Sequence, residues 1–162
     1  MKKQVKIDMR PHYTFAFYSE GMEFQTKTLL YYSRKEKALY YKLCASEIDK
    51  EFREMEDREL KQSISDDDAE VLERLFCSMV DAMKSYKGEP CFVCDGSENV
   101  VVCGKRRVRY EGPYLEKPFG AFESIVYRLH EMMKEDNSSA LESIIKDVPQ
   151  AIEVLKAGAG SA

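Results

Sequence analysis

The hydrophobic pattern of this chain changes its period near Ser46, and this change constrains the fold more than any other feature. Before it, apolar and polar residues alternate as in half-buried strands, and turn residues divide the alternation into separate runs. Four strands of an antiparallel meander are therefore predicted, at residues 5–10, 13–18, 24–32 and 38–43. After Ser46, apolar residues recur at helical spacing instead.

Two helices are predicted directly after the change. Ser46, with Asp49 three residues later, is typical of a helix cap, and a helix with a narrow apolar stripe is expected from there to Lys61. Ser65 is expected to cap a longer helix, whose first turn carries three aspartates where the helix dipole favours negative charge. Apolar residues at regular helical spacing mark this longer helix as the core helix: Leu72, Leu75, Phe76, Met79, Met83 and Tyr86.

Three further helices are predicted towards the C-terminus. One covers residues 121–135, a second runs over 139–148, and a last short helix starts at Pro149 because proline is favoured in a first helical turn. Residues 158–162 resemble a flexible tail or linker, which leaves residues 1–157 as a single domain of ordinary size.

A hairpin lies between the core helix and these last helices. A strand is expected to open at Pro90, residues 95–99 contain an Asp-Gly turn signal, and a second strand returns over 100–103. Gly104 allows a kink, after which residues 105–110 alternate as an extension. The prediction is an α+β fold, with a mainly antiparallel sheet and about five helices packed largely on one of its faces.

Three cysteines in the hairpin raise the question of a metal. Cys91, Cys94 and Cys103 form C-x2-C-x8-C, whereas a structural zinc site usually needs four protein ligands, and the fourth is missing here. We therefore interpret the three as small buried side chains, with zinc as the alternative, and expect no cofactor. Five cysteines without a disulfide-framework spacing are typical of reduced thiols inside a cell.

The extension after the hairpin carries the densest positive charge of the chain. Three interpretations stay open: an acidic protein partner, a nucleic acid, or a solvated strand edge protected by charge. A pI near 5.4 and twelve carboxylates within residues 47–73 weigh against nucleic acid. The candidate binding residues, called the basic strip and its aromatic neighbours below, are Lys105, Arg106, Arg107, Arg109, Tyr110, Tyr114 and Phe119.

Catalytic motifs are scarce. The chain has two histidines, His12 and His130, and none of the nucleophile-elbow, P-loop, dinucleotide-binding or HExxH zinc-binding motifs. His130 lies beside an apolar helical stripe, which favours a structural role. No catalytic residue is therefore assigned.

These features favour a small cytoplasmic, non-catalytic interaction protein of the inhibitor, immunity or adaptor type. It would bind a protein partner through charged and tyrosine-rich surfaces and self-associate through a sheet edge or a helix face. No apolar run is long enough to cross a membrane, so no membrane partner is expected. The alternative is a nucleic-acid-associated regulator that uses the basic strip, and an enzyme with a carboxylate-based site is the third class.

Overall fold

The chain forms an α+β fold in a computed structural model that describes residues 4–21, 25–86, 96–112 and 118–159. Six antiparallel strands and four helices are present in these residues. In chain order they are β1 (Phe15–Gly21), β2 (Lys27–Ser33), β3 (Ala38–Cys44), α1 (Glu47–Phe52), β4 (Arg58–Ser63), α2 (Asp66–Ser85), β5 (Ser97–Cys103), β6 (Arg106–Gly112), α3 (Phe119–Lys134) and α4 (Ala140–Ala159).

The sheet joins two units through the pairing of β1 with β5. Its strand order is β4-β3-β2-β1-β5-β6, so β1 to β4 form a meander and β5 to β6 form a hairpin. Phe17 of β1 lies between Leu30 of β2 and Val101 of β5, and all three side chains are buried on one face. Because side chains alternate along a strand, this register sends every second residue of β1 towards the helices.

Helices α2 and α3 pack on that inner face, and α4 packs against both of them. The contact between layers is aromatic: the ring centroid of Phe76 lies 4.7 Å from that of Phe15 and 5.0 Å from that of Phe122. Ser65 caps α2 as predicted, since its Oγ accepts a hydrogen bond from the amide of Asp68 at 3.1 Å. The prediction of α2 as the core helix is confirmed, because its apolar face is buried.

Every helix among the described residues is too short or too polar to span a bilayer.

The first predicted strand is wrong. Residues 5–10 form no strand, and the apolar side chains of Ile7, Met9 and Tyr13 instead pack on the outer face of the sheet. There they cover a small cluster formed by Ala16, Leu29, Val100 and Val102. The alternation of this segment arises because it lies along a surface with one side buried, which requires no strand pairing.

The predicted helix from Ser46 to Lys61 is also wrong beyond its first turns. Its cap is present, but α1 ends at Phe52, and residues 58–63 form the edge strand β4 paired with β3. Glu54 adopts a positive φ of 52°, a conformation that cannot continue a right-handed helix. Phe52, which was expected in the apolar stripe of this helix together with Ile48 and Met55, is 76 % exposed.

The turn of the hairpin lies at residues 104–105, later in the chain than the predicted turn at 95–99. Ser97 already belongs to β5, and the reversal is made by Gly104 and Lys105, with Cys103 opposite Arg106. Gly104 has a φ of +63°, which fits a glycine at the first position of a tight two-residue hairpin loop. The strand predicted at 90–94 and the turn residue Asp95 lie outside the described residues.

The helix predicted over 139–148 and the short helix predicted from Pro149 form one continuous helix, α4. Helix α4 continues through Pro149, so the described residues contain four helices where about five were predicted. Proline removes one amide from the helical ladder, and the apolar face of α4 stays buried on both sides of it. Gly158 and Ala159 lie in α4, although they were assigned above to the tail, and residues 160–162 are outside the described residues.

Two cysteines meet across the inner face of the sheet. Cys77 of α2 and Cys103 of β5 form a disulfide, with 5.4 Å between their Cα atoms. The expectation that all cysteines are reduced thiols is wrong for this pair. Sequence spacing did not reveal it because the two residues, 26 positions apart, are brought together by the packing of a helix on a strand.

Candidate functional site

A cavity of about 530 Å³ lies between α3 and the inner face of the sheet. Its floor comes from β1, β2 and β5, and its wall comes from α3. The residues that line it are Phe17, Ser19, Thr28, Ser97, Asn99, Gly120, Glu123, Ser124, Val126, Tyr127 and His130.

The floor of the cavity is polar where strand alternation would place core residues. Ser19, Ser97 and Asn99 occupy inward positions of β1 and β5. They lie on the same face as the buried apolar residues of these strands. Asn99 is 1 % exposed, and its Oδ1 accepts a hydrogen bond from Ser97 Oγ at 3.0 Å. A buried amide held in this way presents fixed hydrogen-bonding groups beneath the cavity.

The wall is one face of α3. Gly120, Glu123, Ser124 and Tyr127 recur at three- and four-residue spacing, so they share a face that differs from the apolar core stripe. Gly120 and Ser124 are small and leave room above the sheet. Tyr127 is 64 % exposed at the cavity.

A carboxylate is positioned where the floor meets the wall. Tyr110 of β6 donates its hydroxyl to Glu123 Oε2 at 3.1 Å. Gly112 allows this approach, because a Cβ at that position would lie 2.5 Å from Asn99 Nδ2 and 3.1 Å from Glu123 Oε2. A side chain at position 112 would therefore displace both polar groups.

His130 closes one end of the cavity with a neutral ring. Its imidazole lies 5.1 Å from the ring of Tyr41 and 6.1 Å from that of Phe17, measured between centroids. Nε2 is buried and has no hydrogen-bond partner among the described residues. Burial, with a smaller contribution from the nearby Lys134 charge, lowers the pKa of His130 to about 4, so the ring is uncharged at neutral pH.

The outer face of the sheet carries a second arrangement, a row of neighbouring rings that we call the tyrosine ladder: Tyr13, Tyr31 and Tyr40. The ring of Tyr13 is tilted by 34° against that of Tyr31, and the rings of Tyr31 and Tyr40 are stacked. Ring centroids are 4.6 Å apart for Tyr13 and Tyr31, and 5.0 Å apart for Tyr31 and Tyr40, whose planes differ by 7°. Tyr31 and Tyr40 are directly opposite in the β2 to β3 register. Burial is the main reason that the pKa of Tyr31 rises to about 12, so its hydroxyl stays protonated.

Lysines flank the tyrosine ladder. The ammonium of Lys42 lies 5.6 Å from the ring centroid of Tyr31, and that of Lys61 lies 5.6 Å from Tyr40, within the range of cation–π attraction. Lys61 also pairs with Glu36 at 3.3 Å. The ladder is thus a half-exposed aromatic surface with ordered positive charge along it.

The basic strip is divided between the two faces of the sheet. Arg106 points inward and pairs with Asp81 of α2, whereas Arg107 points outward and donates to the carbonyl of Met9 at 3.2 Å. Arg109, also outward, pairs with Glu98 at 2.6 Å, and Lys105 lies in the hairpin turn. Strand alternation therefore prevents the four cations from forming one continuous surface.

The described aromatic neighbours of the basic strip, Tyr110 and Phe119, do not form a common surface with it either. Tyr110 is buried against Glu123, and Phe119 is buried at the start of α3, where its ring centroid lies 4.9 Å from that of Tyr86. Tyr114 lies outside the described residues. Of the predicted binding residues that the structure describes, Tyr110 is the one that supports the cavity, through its hydrogen bond to Glu123.

Of the residues predicted for zinc, Cys103 is bonded to Cys77, and Cys91 and Cys94 lie outside the described residues. The described ranges contain no group of three or more histidine, cysteine, aspartate or glutamate side chains placed to hold a metal ion.

Reasoning from the sequence missed the cavity. Two signals mark it in retrospect: polar residues at the inward positions Ser97 and Asn99 of an otherwise apolar strand, and the small residues Gly120 and Ser124 on one face of α3. Neither signal shows which helix covers which strand. That information comes only from the tertiary fold.

Comparison with known proteins adds no assignment, since no protein-family model and no curated protein sequence matches this chain.

Proposed function

We propose that this chain is a small, non-catalytic interaction protein that binds a protein partner through the tyrosine ladder and the lysines beside it. One observation carries the proposal: Tyr31 and Tyr40 stack in parallel on the sheet face opposite α2 and α3. The inhibitor, immunity and adaptor types all fit such a surface.

The chemistry of tyrosine supports this choice. A tyrosine ring offers a large contact area at a low cost in conformational entropy, and its hydroxyl can bond to either donors or acceptors. Stacking fixes the rings of Tyr31 and Tyr40 before any partner arrives, so less side-chain freedom is lost on binding. Protein interfaces are enriched in tyrosine for these reasons.

The charge along the ladder favours a partner with acidic groups. Lys42 and Lys61 are each held by a ring and a carboxylate, Glu59 in one case and Glu36 in the other. A partner's carboxylate could replace these intramolecular pairs at little net change in charge pairing. Such exposed pairs contribute more to orientation and association rate than to affinity.

Self-association and location belong to the same proposal. Among the described residues, strands β4 and β6 end the sheet, so either edge could pair with a second copy.

We place the protein in the cytoplasm. The disulfide between Cys77 and Cys103 weighs against this location, because disulfides persist mainly in oxidising compartments. Alkylation of free thiols during cell lysis, followed by mass spectrometry of this pair, tests the location.

The test of the partner uses affinity capture from the native cell with quantitative mass spectrometry. The variant Tyr31→Ala combined with Tyr40→Ala removes the ladder, and Tyr127→Ala removes an exposed tyrosine from the opposite side of the sheet. We expect a protein that is recovered equally with wild type and Tyr127→Ala, and at least about tenfold less with the ladder variant. Equal recovery with all three, with each variant folded by circular dichroism, would contradict the proposal.

A salt titration on generic DNA and RNA separates this proposal from a nucleic-acid role. Under our proposal, no saturable binding is seen at moderate salt. Binding that weakens steeply with salt and is lost when Arg107 and Arg109 are changed to Ala would count against a protein partner as the main ligand.

A further inference from the structure

We propose that the cavity between α3 and the sheet binds a small organic amine with an apolar body. Within the described residues, this cavity brings a positioned carboxylate together with ordered neutral donors and acceptors. The inference is independent of the proposed function, because the tyrosine ladder lies on the other face of the sheet.

The size of the cavity suits a small molecule. Its volume of about 530 Å³ lies within the range of about 300–1,000 Å³ that is usual for small-molecule sites. Phe17 and Val126 supply apolar surface, and the exposed ring of Tyr127 lies against the opening. These side chains would contact the body of a ligand.

The charge of the lining selects for an amine over an acid. Glu123 is the one carboxylate among the lining residues that the structure describes, and none of those residues is a lysine or an arginine. Tyr110 fixes the Glu123 carboxylate through Oε2, and Gly112 leaves room for it beside Asn99. A carboxylate in a partly dehydrated site attracts an ammonium group and repels an anion.

The remaining polar groups are neutral and fixed. Asn99 is held by Ser97, and burial lowers the pKa of His130, which favours its uncharged imidazole. Neither group adds positive charge that would oppose an amine. The buried Nε2 of His130 also shows that the fold leaves a polar atom at this end of the cavity without an internal partner among the described residues.

The specificity can be tested with three probes that share one body and differ in the polar group. They are 2-phenylethylamine, 2-phenylethanol and 3-phenylpropanoate, titrated into the ¹⁵N-labelled full chain and followed by amide chemical shifts. We expect millimolar dissociation constants for so small a ligand, with the amine at least about tenfold tighter than the acid and the alcohol between them. The shifted amides should cluster at Ser19, Asn99, Glu123 and Tyr127.

Two variants separate the site from general weak binding. Ser124→Trp fills the cavity from an exposed position of α3 and should abolish all three titrations, whereas Ser85→Trp, at the exposed end of α2, should leave them unchanged. Glu123→Gln should remove the preference for the amine over the alcohol. If Glu123→Gln does not fold, the tryptophan pair still decides whether the cavity is the site.

Several results would overturn the inference. They are no shift at about 10 mM amine, shifts that map away from the lining residues, an acid that binds as tightly as the amine, or titrations that survive Ser124→Trp. None of these results tests binding of a protein partner by the tyrosine ladder. Failure of the cavity proposal and failure of the proposed function are therefore distinguishable.

Discussion

His130 should make the stability of the protein depend on pH in the weakly acidic range. The perturbation is His130→Gln, which keeps a polar side chain but removes the titrating group. In the folded chain the pKa of His130 is about 4, compared with an ordinary value of 6.5. Between these values the unfolded chain binds more protons than the folded chain, so stability falls as the pH is lowered from 6.5 towards 4.

The magnitude follows from this interval. Each pH unit between the two pKa values lowers the free energy of unfolding by about 1.4 kcal/mol. The loss over the whole interval is therefore about 3 kcal/mol. The titration of His130 in the folded and in the unfolded chain then predicts the effect at pH 5. The free energy of unfolding should be about 2 kcal/mol lower there than at pH 7.5. That loss is large compared with the usual total stability of a domain, about 5–15 kcal/mol.

The assay is urea unfolding of wild type and His130→Gln at pH 7.5 and pH 5. Both proteins contain the same carboxylates, so the difference between their pH dependences isolates the histidine. We expect wild type to lose about 2 kcal/mol more than the variant, a shift of about 1 M in the urea midpoint. The matched control is His12→Gln, because His12 is exposed and its removal should leave the wild-type dependence intact.

Equal pH dependence for wild type and His130→Gln would refute the reasoning. It would mean that water or a rearranged partner solvates the charged ring in the folded state. A histidine titration by NMR gives an independent check, since the Cε1 proton of His130 should shift with a midpoint near 4.

Three further perturbations test the packing. Reduction of the disulfide between Cys77 and Cys103 should lower the free energy of unfolding by about 3 kcal/mol, as expected for a 26-residue separation, and should not affect a variant with both cysteines changed to Ala. Gly158→Ala should destabilise by about 1–3 kcal/mol despite its better helix propensity, because the new Cβ would lie 2.3 Å from Cβ of Pro118; an unchanged melting temperature would contradict this contact. Ser65→Ala should cost about 1 kcal/mol in urea unfolding through loss of the α2 cap, and a neutral result would show that the cap is dispensable.

The parts of the fold that were predictable are those set by local periodicity. The α+β class follows from the change of period near Ser46, and α2 and α3 follow from long apolar stripes. The errors occur where a local pattern has two physical causes. Residues 5–10 alternate because one side packs on the outer face, and β4 is short, charged and preceded by a helix cap that favours a longer helix.

The candidate site was less predictable because it depends on register. Arg106 and Arg107 are neighbours in sequence, but they point to opposite faces of the sheet, one towards Asp81 and the other towards Met9. His130 was correctly placed beside an apolar stripe, but the sequence gives no measure of the space in front of it. The cavity becomes visible only when α3 is placed over β1 and β5.

The pairing of β1 with β5, which are about 80 residues apart in sequence, affects how the sheet forms during synthesis. Strands β1 to β4 are consecutive, so the meander and α2 can form while residues 97–112 are still inside the ribosome. During that interval one edge of β1 has no partner strand, and its backbone groups are open to pairing with other chains. The β5 to β6 hairpin closes this edge when it emerges, and the same event adds Ser97 and Asn99 to the cavity floor. Slow translation after α2 should therefore raise aggregation of the nascent chain, and any cavity ligand can bind only after the edge is closed.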